Sequence, residues 1–171
     1  MKVLLLNGSP RKNGCTYTAL NVVADALKAE GIDAEVFQAG DPDMENVKAA
    51  AAKLKDSDAL VVGSPVYWAS PSGQIIEFMD RLASVAGKDM LYKPAAAVAS
   101  ARRAGTTATL DVLTKYFSYH QMPVVSSCYW NMVHGNTPEE VMKDEEGVQI
   151  MRVLGKNMAW LLKCICSGSR R

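Results

Sequence analysis

The chain has 171 residues, enough for one domain with a substantial core, and its 49% hydrophobic and 22% charged residues are typical of a globular protein. Nineteen lysines and arginines nearly cancel eighteen aspartates and glutamates, and no basic stripe follows any segment, so we expect no nucleic-acid partner. No apolar run approaches the roughly 18 residues of a membrane span, so we expect no membrane partner either.

The apolar run at the start of the chain ends after Leu6, well short of the roughly 7–15 apolar residues of a signal-peptide core. The four cysteines, Cys15, Cys128, Cys164 and Cys166, show no CxxC pattern and no companion histidine spacing. We therefore expect reduced thiols, no bound metal and a cytoplasmic location.

Strand and helix patterns alternate along the chain. Short apolar runs that end at turn residues indicate strands, and apolar residues at three- and four-residue steps indicate helices. In chain order the predicted elements are strand Lys2–Leu6, helix Thr16–Glu30, strand Asp33–Phe37, helix Pro42–Lys55, strand Ala59–Val62, helix Pro71–Ala86, strand Ala95–Ala99, helix Thr106–Tyr119, strand Pro123–Ser126 and helix Glu145–Ile165.

Five strand–helix units in this order predict an α/β fold with a five-stranded parallel sheet and helices on both faces. The common strand order for five such units is 2-1-3-4-5. We expect a single domain over residues 1–166, and the composition of residues 167–171 is typical of a flexible tail.

In an open α/β sheet, ligands bind at the carboxyl ends of the strands, where the strand order reverses. Strands 1, 3 and 4 are neighbours in the predicted order. The loops that leave them, Asn7–Thr16, Gly63–Pro71 and Ser100–Thr107, are therefore expected to meet at one site.

The first loop is rich in hydroxyl, amide and glycine groups and carries the cations Arg11 and Lys12 at a helix start. Backbone N–H groups, hydroxyls and the helix dipole together bind a phosphate dianion. The loop matches neither a Walker A motif nor GxGxxG. An ordinary capped helix with a polar turn is the alternative.

The second loop places Tyr67 and Trp68 between two prolines, and aromatic side chains in such a rigid loop can stack against a flat ring. The alternative is that they cover the end of the sheet or form a subunit contact.

The third loop holds Arg102 and Arg103. We expect one of them to face the site and the other to face water.

The segment Cys128–Gly135 contains two aromatic residues and His134, more than a plain connection needs. We expect it to form a flap over the site or over a partner subunit's site. His134 is a candidate general acid, although a single histidine in a loop is more often a polar surface residue.

Two segments, Gly8–Thr16 (GSPRKNGCT) and Gly63–Trp68 (GSPVYW), closely resemble the FMN-binding signature of the NAD(P)H-dependent FMN reductase and iron–sulfur flavoprotein group. The third loop and the segment Tyr129–Gly135 are also similar to members of that group. The similarity extends over essentially the whole chain.

The resemblance implies a flavodoxin-like three-layer sandwich that holds FMN noncovalently and forms a homodimer or homotetramer. The implied phosphate ligands are Ser9, Arg11, Asn13, Gly14, Cys15 and Thr16. The residues implied to flank the isoalloxazine are Pro65, Val66, Tyr67 and Trp68, with Ser100, Arg103 and Gly105 near its other edge.

The chain departs from this group at two places. Iron–sulfur flavoproteins carry a compact cysteine cluster after strand two, whereas Gly40–Glu45 contains no cysteine, so we expect no iron–sulfur cluster. Cys15 stands where relatives more often have a hydroxyl or amide residue. A thiol at a helix start has a lowered pKa and can be reactive, but a tolerated small substitute is the preferred interpretation.

The function that the resemblance implies is electron transfer from NAD(P)H through bound FMN to a small-molecule acceptor, such as a quinone, a nitro or azo compound, or free flavin. No catalytic side chain is required for the hydride transfer, because the cofactor carries the chemistry. The alternatives are a flavodoxin-type electron carrier between protein partners and a flavin redox sensor.

Overall fold

The computed structural model describes residues 1–168 and contains twelve elements within them. In chain order they are β1 (Lys2–Asn7), α1 (Cys15–Ala29), β2 (Asp33–Gln38), α2 (Met44–Lys55), β3 (Ala59–Tyr67), β4 (Ser70–Pro71), α3 (Gly73–Met90), β5 (Ala95–Ala101), α4 (Thr106–Tyr119), β6 (Met132–His134), α5 (Pro138–Lys143) and α6 (Glu145–Gly168).

The main sheet is parallel and has the order β2-β1-β3-β5-β6. Counted over the parallel strands alone, this is the predicted order 2-1-3-4-5, and the predicted α/β fold is confirmed. The short strand β4 is an addition, because it pairs antiparallel with the end of β3 and not with the main sheet.

The predicted fifth strand, Pro123–Ser126, is wrong. Val124 forms only an isolated bridge to Ala95, and its side chain is about half exposed. The fifth position is taken instead by β6, which pairs with Ala99–Ala101 and carries the fully buried Val133. The segment Cys128–Gly135 therefore runs along the edge of the sheet and contains its edge strand.

The core has two layers, one on each face of the sheet. The central strands are apolar on both faces, so alternate residues of one strand enter different layers. In β1, Val3 and Leu5 pack with α1 and α6, whereas Leu4 and Leu6 pack with α2 and α3.

Most helix and strand bounds lie within a few residues of the predicted ones. The exceptions are β3, which continues to Tyr67, and α3, which begins at Gly73 and runs through a kink at Ala86 to Met90. Helix α6 extends to Gly168, so the first two residues of the predicted tail 167–171 are helical, and residues 169–171 lie outside the described part. None of the described helices is long and apolar enough to cross a membrane.

Candidate functional site

A cavity of about 210 Å³ opens at the carboxyl ends of β1, β3 and β5, where the three predicted loops meet. Eight of the residues singled out from the sequence line it: Ser9, Arg11, Cys15, Thr16, Pro65, Val66, Tyr67 and Ser100. Four further residues complete the wall: Ala101, Arg102, Gly135 and Asn136.

Six other residues singled out from the sequence do not line this cavity: Asn13, Gly14, Trp68, Arg103, Gly105 and His134. Gly14 and Gly105 are the N-cap residues that directly precede α1 and α4. Of the two adjacent arginines, Arg102 faces the cavity and Arg103 does not. His134 lies beside Asp144, whose Oδ2 accepts a hydrogen bond of 2.7 Å from the His134 backbone N–H.

The loop after β1 is held in place by two amide side chains that end neighbouring strands. Asn7 Nδ2 donates to Gln38 Oε1 at 2.8 Å and to the Lys12 carbonyl at 3.2 Å. Gln38 Nε2 donates to the Ser9 carbonyl at 2.6 Å, and the Ser9 N–H donates to Asn7 Oδ1 at 3.2 Å. These bonds hold the Lys12 and Ser9 carbonyls against the amide donors of Asn7 and Gln38, and within the loop the Arg11 N–H donates to Ser9 Oγ at 3.1 Å.

The first turn of α1 is joined to the far wall of the cavity. Thr16 Oγ1 and Ser100 Oγ lie 2.7 Å apart and share a hydrogen bond, although both residues are almost fully buried. Cys15 Sγ donates to the Gly135 carbonyl at 3.6 Å. Burial raises the pKa of the Cys15 thiol. A raised pKa supports the interpretation of Cys15 as a neutral packing residue and not as a reactive thiolate.

Two helices that begin at the carboxyl edge of the sheet have no side-chain cap. Helix α1 follows Gly14 and α4 follows Gly105, and within the described residues no side chain accepts a hydrogen bond from the first-turn N–H groups of either helix. The other four described helices are capped: Asp43 accepts from Glu45 N–H, Ser72 from Ile75 N–H, Thr137 from Glu140 N–H and Asp144 from Gly147 N–H. Cys15 and Thr16 in the first turn of α1 line the cavity, so the uncapped N–H groups of α1 lie where an anion would bind, whereas the start of α4 lies against Ala69.

Two cations, Arg11 and Arg102, line the cavity without a carboxylate partner. Within residues 1–168, no ion pair involves either of them. Among the same residues, no carboxylate and no histidine lines the cavity. The electrostatic character of the site is that of an anion receptor, with the positive end of the α1 dipole added to the two arginines.

The mouth of the cavity is bordered by a tight hairpin between β3 and β4. Val66 pairs with Pro71 and Tyr67 with Ser70, which leaves Trp68 and Ala69 as a two-residue turn. Both turn residues have left-handed backbones, with φ of +53° and +56°. Gly105, itself at φ +104°, packs against this turn, because a Cβ there would lie 2.7 Å from Ala69 Cα.

Several residues of the site were not singled out from the sequence. Asn7 and Gln38 act through their pairing across β1 and β2, and their position at adjacent strand ends is the signal that would have found them. Gly135 and Asn136 reach the cavity because β6 lies next to β5.

The residues present fit FMN. Its phosphate needs N–H donors, hydroxyls and cations with no competing carboxylate, which is what the loop at Ser9–Thr16 offers. Its ring needs an apolar edge and an open side, which Pro65, Val66 and the 40%-exposed Tyr67 border.

The chain is similar to flavoproteins over nearly its whole length. An iron–sulfur flavoprotein of Methanocaldococcus jannaschii is 29% identical over 191 aligned positions, which cover 96% of this chain and 99% of the relative. An NADPH azoreductase of a Bacillus species is 30% identical over 108 positions, or 59% of each chain. A solved flavodoxin from the Archaea superposes with a TM-score of 0.73 at 18% identity, covering 95% of this chain and 99% of that one.

The fold is therefore flavodoxin-like, and the chain is a flavoprotein. The profile of the NADPH-dependent FMN reductase family matches residues 1–137, and the chain belongs to that family. FMN is its cofactor, and NAD(P)H is its reductant.

Proposed function

We propose that the protein transfers two electrons from NAD(P)H to a small acceptor: a quinone, a nitro or azo compound, or free flavin. For a quinone the balance is one hydride from the nicotinamide and one proton from solvent, which yield NAD(P)⁺ and the hydroquinone. The observation that carries this proposal is a cavity that combines the uncapped start of α1 with an open mouth.

The proposed contacts to FMN follow the walls of this cavity. Ser9, Arg11, Cys15 and Thr16 hold the phosphate, together with the backbone of Asn13 and Gly14. The ring lies along Pro65, Val66 and Tyr67. Its other edge faces Ser100, Arg102 and the start of α4 at Gly105, and Arg103 is assigned to the rim.

When bound, FMN supplies a ring that exchanges a hydride with the nicotinamide and electrons with the acceptor. The side chains of the chain bind and orient. Because no carboxylate or histidine among residues 1–168 lines the cavity, the proton that the acceptor needs is taken from solvent at the open mouth, and His134 is not assigned a catalytic role.

A second candidate function is that of an electron carrier between proteins, which the structural similarity to a flavodoxin favours. Flavodoxins usually dock through a strongly acidic face, whereas this chain has a formal net charge of +1. The reductase is therefore the preferred candidate. A cytoplasmic homodimer or homotetramer is part of the same proposal, and the exposed aromatic side chains of Tyr92 and Tyr119 support self-association.

The test is an absorbance spectrum of the purified protein under anaerobic conditions, before and after addition of NADPH and, separately, NADH. Free FMN at the same concentration with each nucleotide is the control for direct reduction. We expect flavin bands that bleach within the mixing time of a stopped-flow instrument and recover when a quinone is added. Bands that persist would contradict the reductase and favour the carrier or a redox sensor. A colourless protein that does not take up added FMN would contradict the proposed cofactor contacts as well.

A further inference from the structure

Trp68 stands at the mouth of the cavity with its side chain fully exposed. It follows directly after Tyr67, which lines the cavity, and precedes the only other residue of the turn, Ala69. Burial of apolar surface stabilises a protein by about 25 cal/mol for each Å², and the exposed indole of Trp68 lacks this stabilisation. A ligand at the mouth would cover it.

The backbone that presents this side chain is also costly. Left-handed conformations cost a residue other than glycine about 1–2 kcal/mol, and Trp68 and Ala69 adopt them in succession. The usual residues of such a turn are asparagine and glycine. The pairing of β3 with β4 and the close contact with Gly105 maintain the conformation, so the position of the indole is fixed by its surroundings.

The two substrates need different contacts at this mouth. NAD(P)H carries phosphates that Arg103, assigned above to the rim, can bind. A neutral acceptor has no charged group for this arginine. Its recognition must come from an apolar surface, and the exposed indole of Trp68, next to Tyr67 of the cavity wall, offers one.

We propose that Trp68 is the stacking platform for the planar aromatic acceptors of the function proposed above. The proposal rests on the function proposed above. It goes further in that it names one residue that selects among acceptors and separates flat aromatic ones from those that have no ring to stack.

The experiment compares menadione, a planar quinone, with ferricyanide, an acceptor that has no aromatic face. The variants are Trp68→Ala, Trp68→Phe and, as a matched control, Trp160→Ala, which removes an exposed tryptophan from α6. For Trp68→Ala we expect the ratio of kcat/KM for menadione to kcat/KM for ferricyanide to fall about tenfold, mainly through the KM of menadione. Trp68→Phe retains the ratio within about threefold, and Trp160→Ala leaves it unchanged.

A binding measurement accompanies the kinetics. In the oxidised holoprotein, menadione is expected to quench tryptophan fluorescence saturably, and the saturable component is expected to disappear in Trp68→Ala but to persist in Trp160→Ala. This arm tests the platform even if NAD(P)H fails to reduce the flavin, an outcome that would contradict the proposed function alone.

Three outcomes would overturn the proposal. The first is a ratio for Trp68→Ala equal to that of the unaltered protein. The second is loss of FMN from Trp68→Ala at concentrations where the unaltered protein retains it, which would assign the indole to the flavin itself. The third is a smaller assembly on size-exclusion chromatography with an unchanged KM for menadione, which would assign Trp68 to a contact between copies of the chain.

Discussion

The two ends of the parallel sheet differ in whether their charged side chains and helix starts have partners. At the amino end, Glu35 pairs with Lys2 at 2.8 Å and with Lys53 at 2.6 Å, and Lys93 Nζ donates to the Leu54 carbonyl at the end of α2. At the carboxyl end, α1 and α4 begin without a side-chain cap, and the nearby arginines Arg11 and Arg102 have no ion-pair partner in the described residues.

This difference shows which end carries the function. A Ser, Thr, Asp or Asn cap is worth roughly a few tenths of a kcal/mol more than the glycines that precede α1 and α4, and the four other described helices of the same chain have such a cap. Among the described helices, the two uncapped starts both lie at the carboxyl end of the sheet. The first-turn N–H groups of the other helices bond to a capping side chain, whereas those at the uncapped helix starts remain available to a ligand.

The largest expected effect comes from the start of α4. Gly105→Ala places a Cβ in a left-handed residue and against Ala69, and we expect it to lower the free energy of unfolding by about 2–3 kcal/mol in urea titrations. Gly31→Ala is the matched control, because Gly31 also has a positive φ, +77°, but has open space around it. Its expected cost is about 1 kcal/mol. Equal costs at the two positions would contradict the tight contact between Gly105 and the hairpin turn.

An intermediate effect is expected at the start of α1. Gly14→Asp supplies the missing cap, so the apoprotein should become more stable by about 0.5 kcal/mol, while FMN should bind at least tenfold more weakly because the carboxylate occupies and repels the phosphate position. The two changes have opposite signs, and they are measured by urea unfolding of the apoprotein and by FMN fluorescence titration. Gly73→Asp places the same charge in the first turn of the capped helix α3 and should leave FMN affinity within about twofold. Unchanged FMN affinity in Gly14→Asp would show that the phosphate lies elsewhere.

The smallest effect is expected at the amino end. Hydrogen bonds from Lys2 and Lys53 lower the pKa of Glu35, so its ion pairs contribute stability above its ordinary value of 4.5, and this contribution is lost as the pH falls through the lowered pKa. Glu35→Gln should cost about 0.2–1 kcal/mol at pH 7, because the groups are partly exposed. Urea titrations at pH 7 and at pH 3 should show the difference disappear at the acidic pH, and 1 M salt at pH 7 should reduce it. A difference that persists at pH 3 would mean that packing and not charge is lost.

Much of the fold follows from local patterns in the sequence. Lys2–Leu6 and Ala59–Val62 are apolar runs that end at Gly-Ser-Pro, and the structure contains both as central strands. The sequence pattern places the fifth strand wrongly, because Pro123–Ser126 and Met132–His134 have the same apolar character. Only the pairing partner distinguishes them: Val133 lies opposite Ser100, and Val124 reaches only the start of β5.

The candidate site could be predicted at the level of loops but not of every side chain. The convergence of three loops follows from strand order alone. The choice between Arg102 and Arg103 depends on how the chain turns after β5, and the role of Gln38 depends on its register with Asn7, 31 residues earlier in the chain. The direction of Trp68, outward and not into the cavity, depends on a hairpin that the strand pattern did not predict.

The two edge strands of the sheet also bear on how the protein avoids aggregation. An exposed strand edge can pair with the edge of another chain, and proteins reduce this hazard with short edge strands and charged residues. Strand β6 offers only three residues for such pairing, and β2 carries Asp33 and the ion-paired Glu35. The continuously apolar strands β1, β3 and β5 lie between them, so the segments with the strongest tendency to form intermolecular sheets are those that the fold keeps away from its edges.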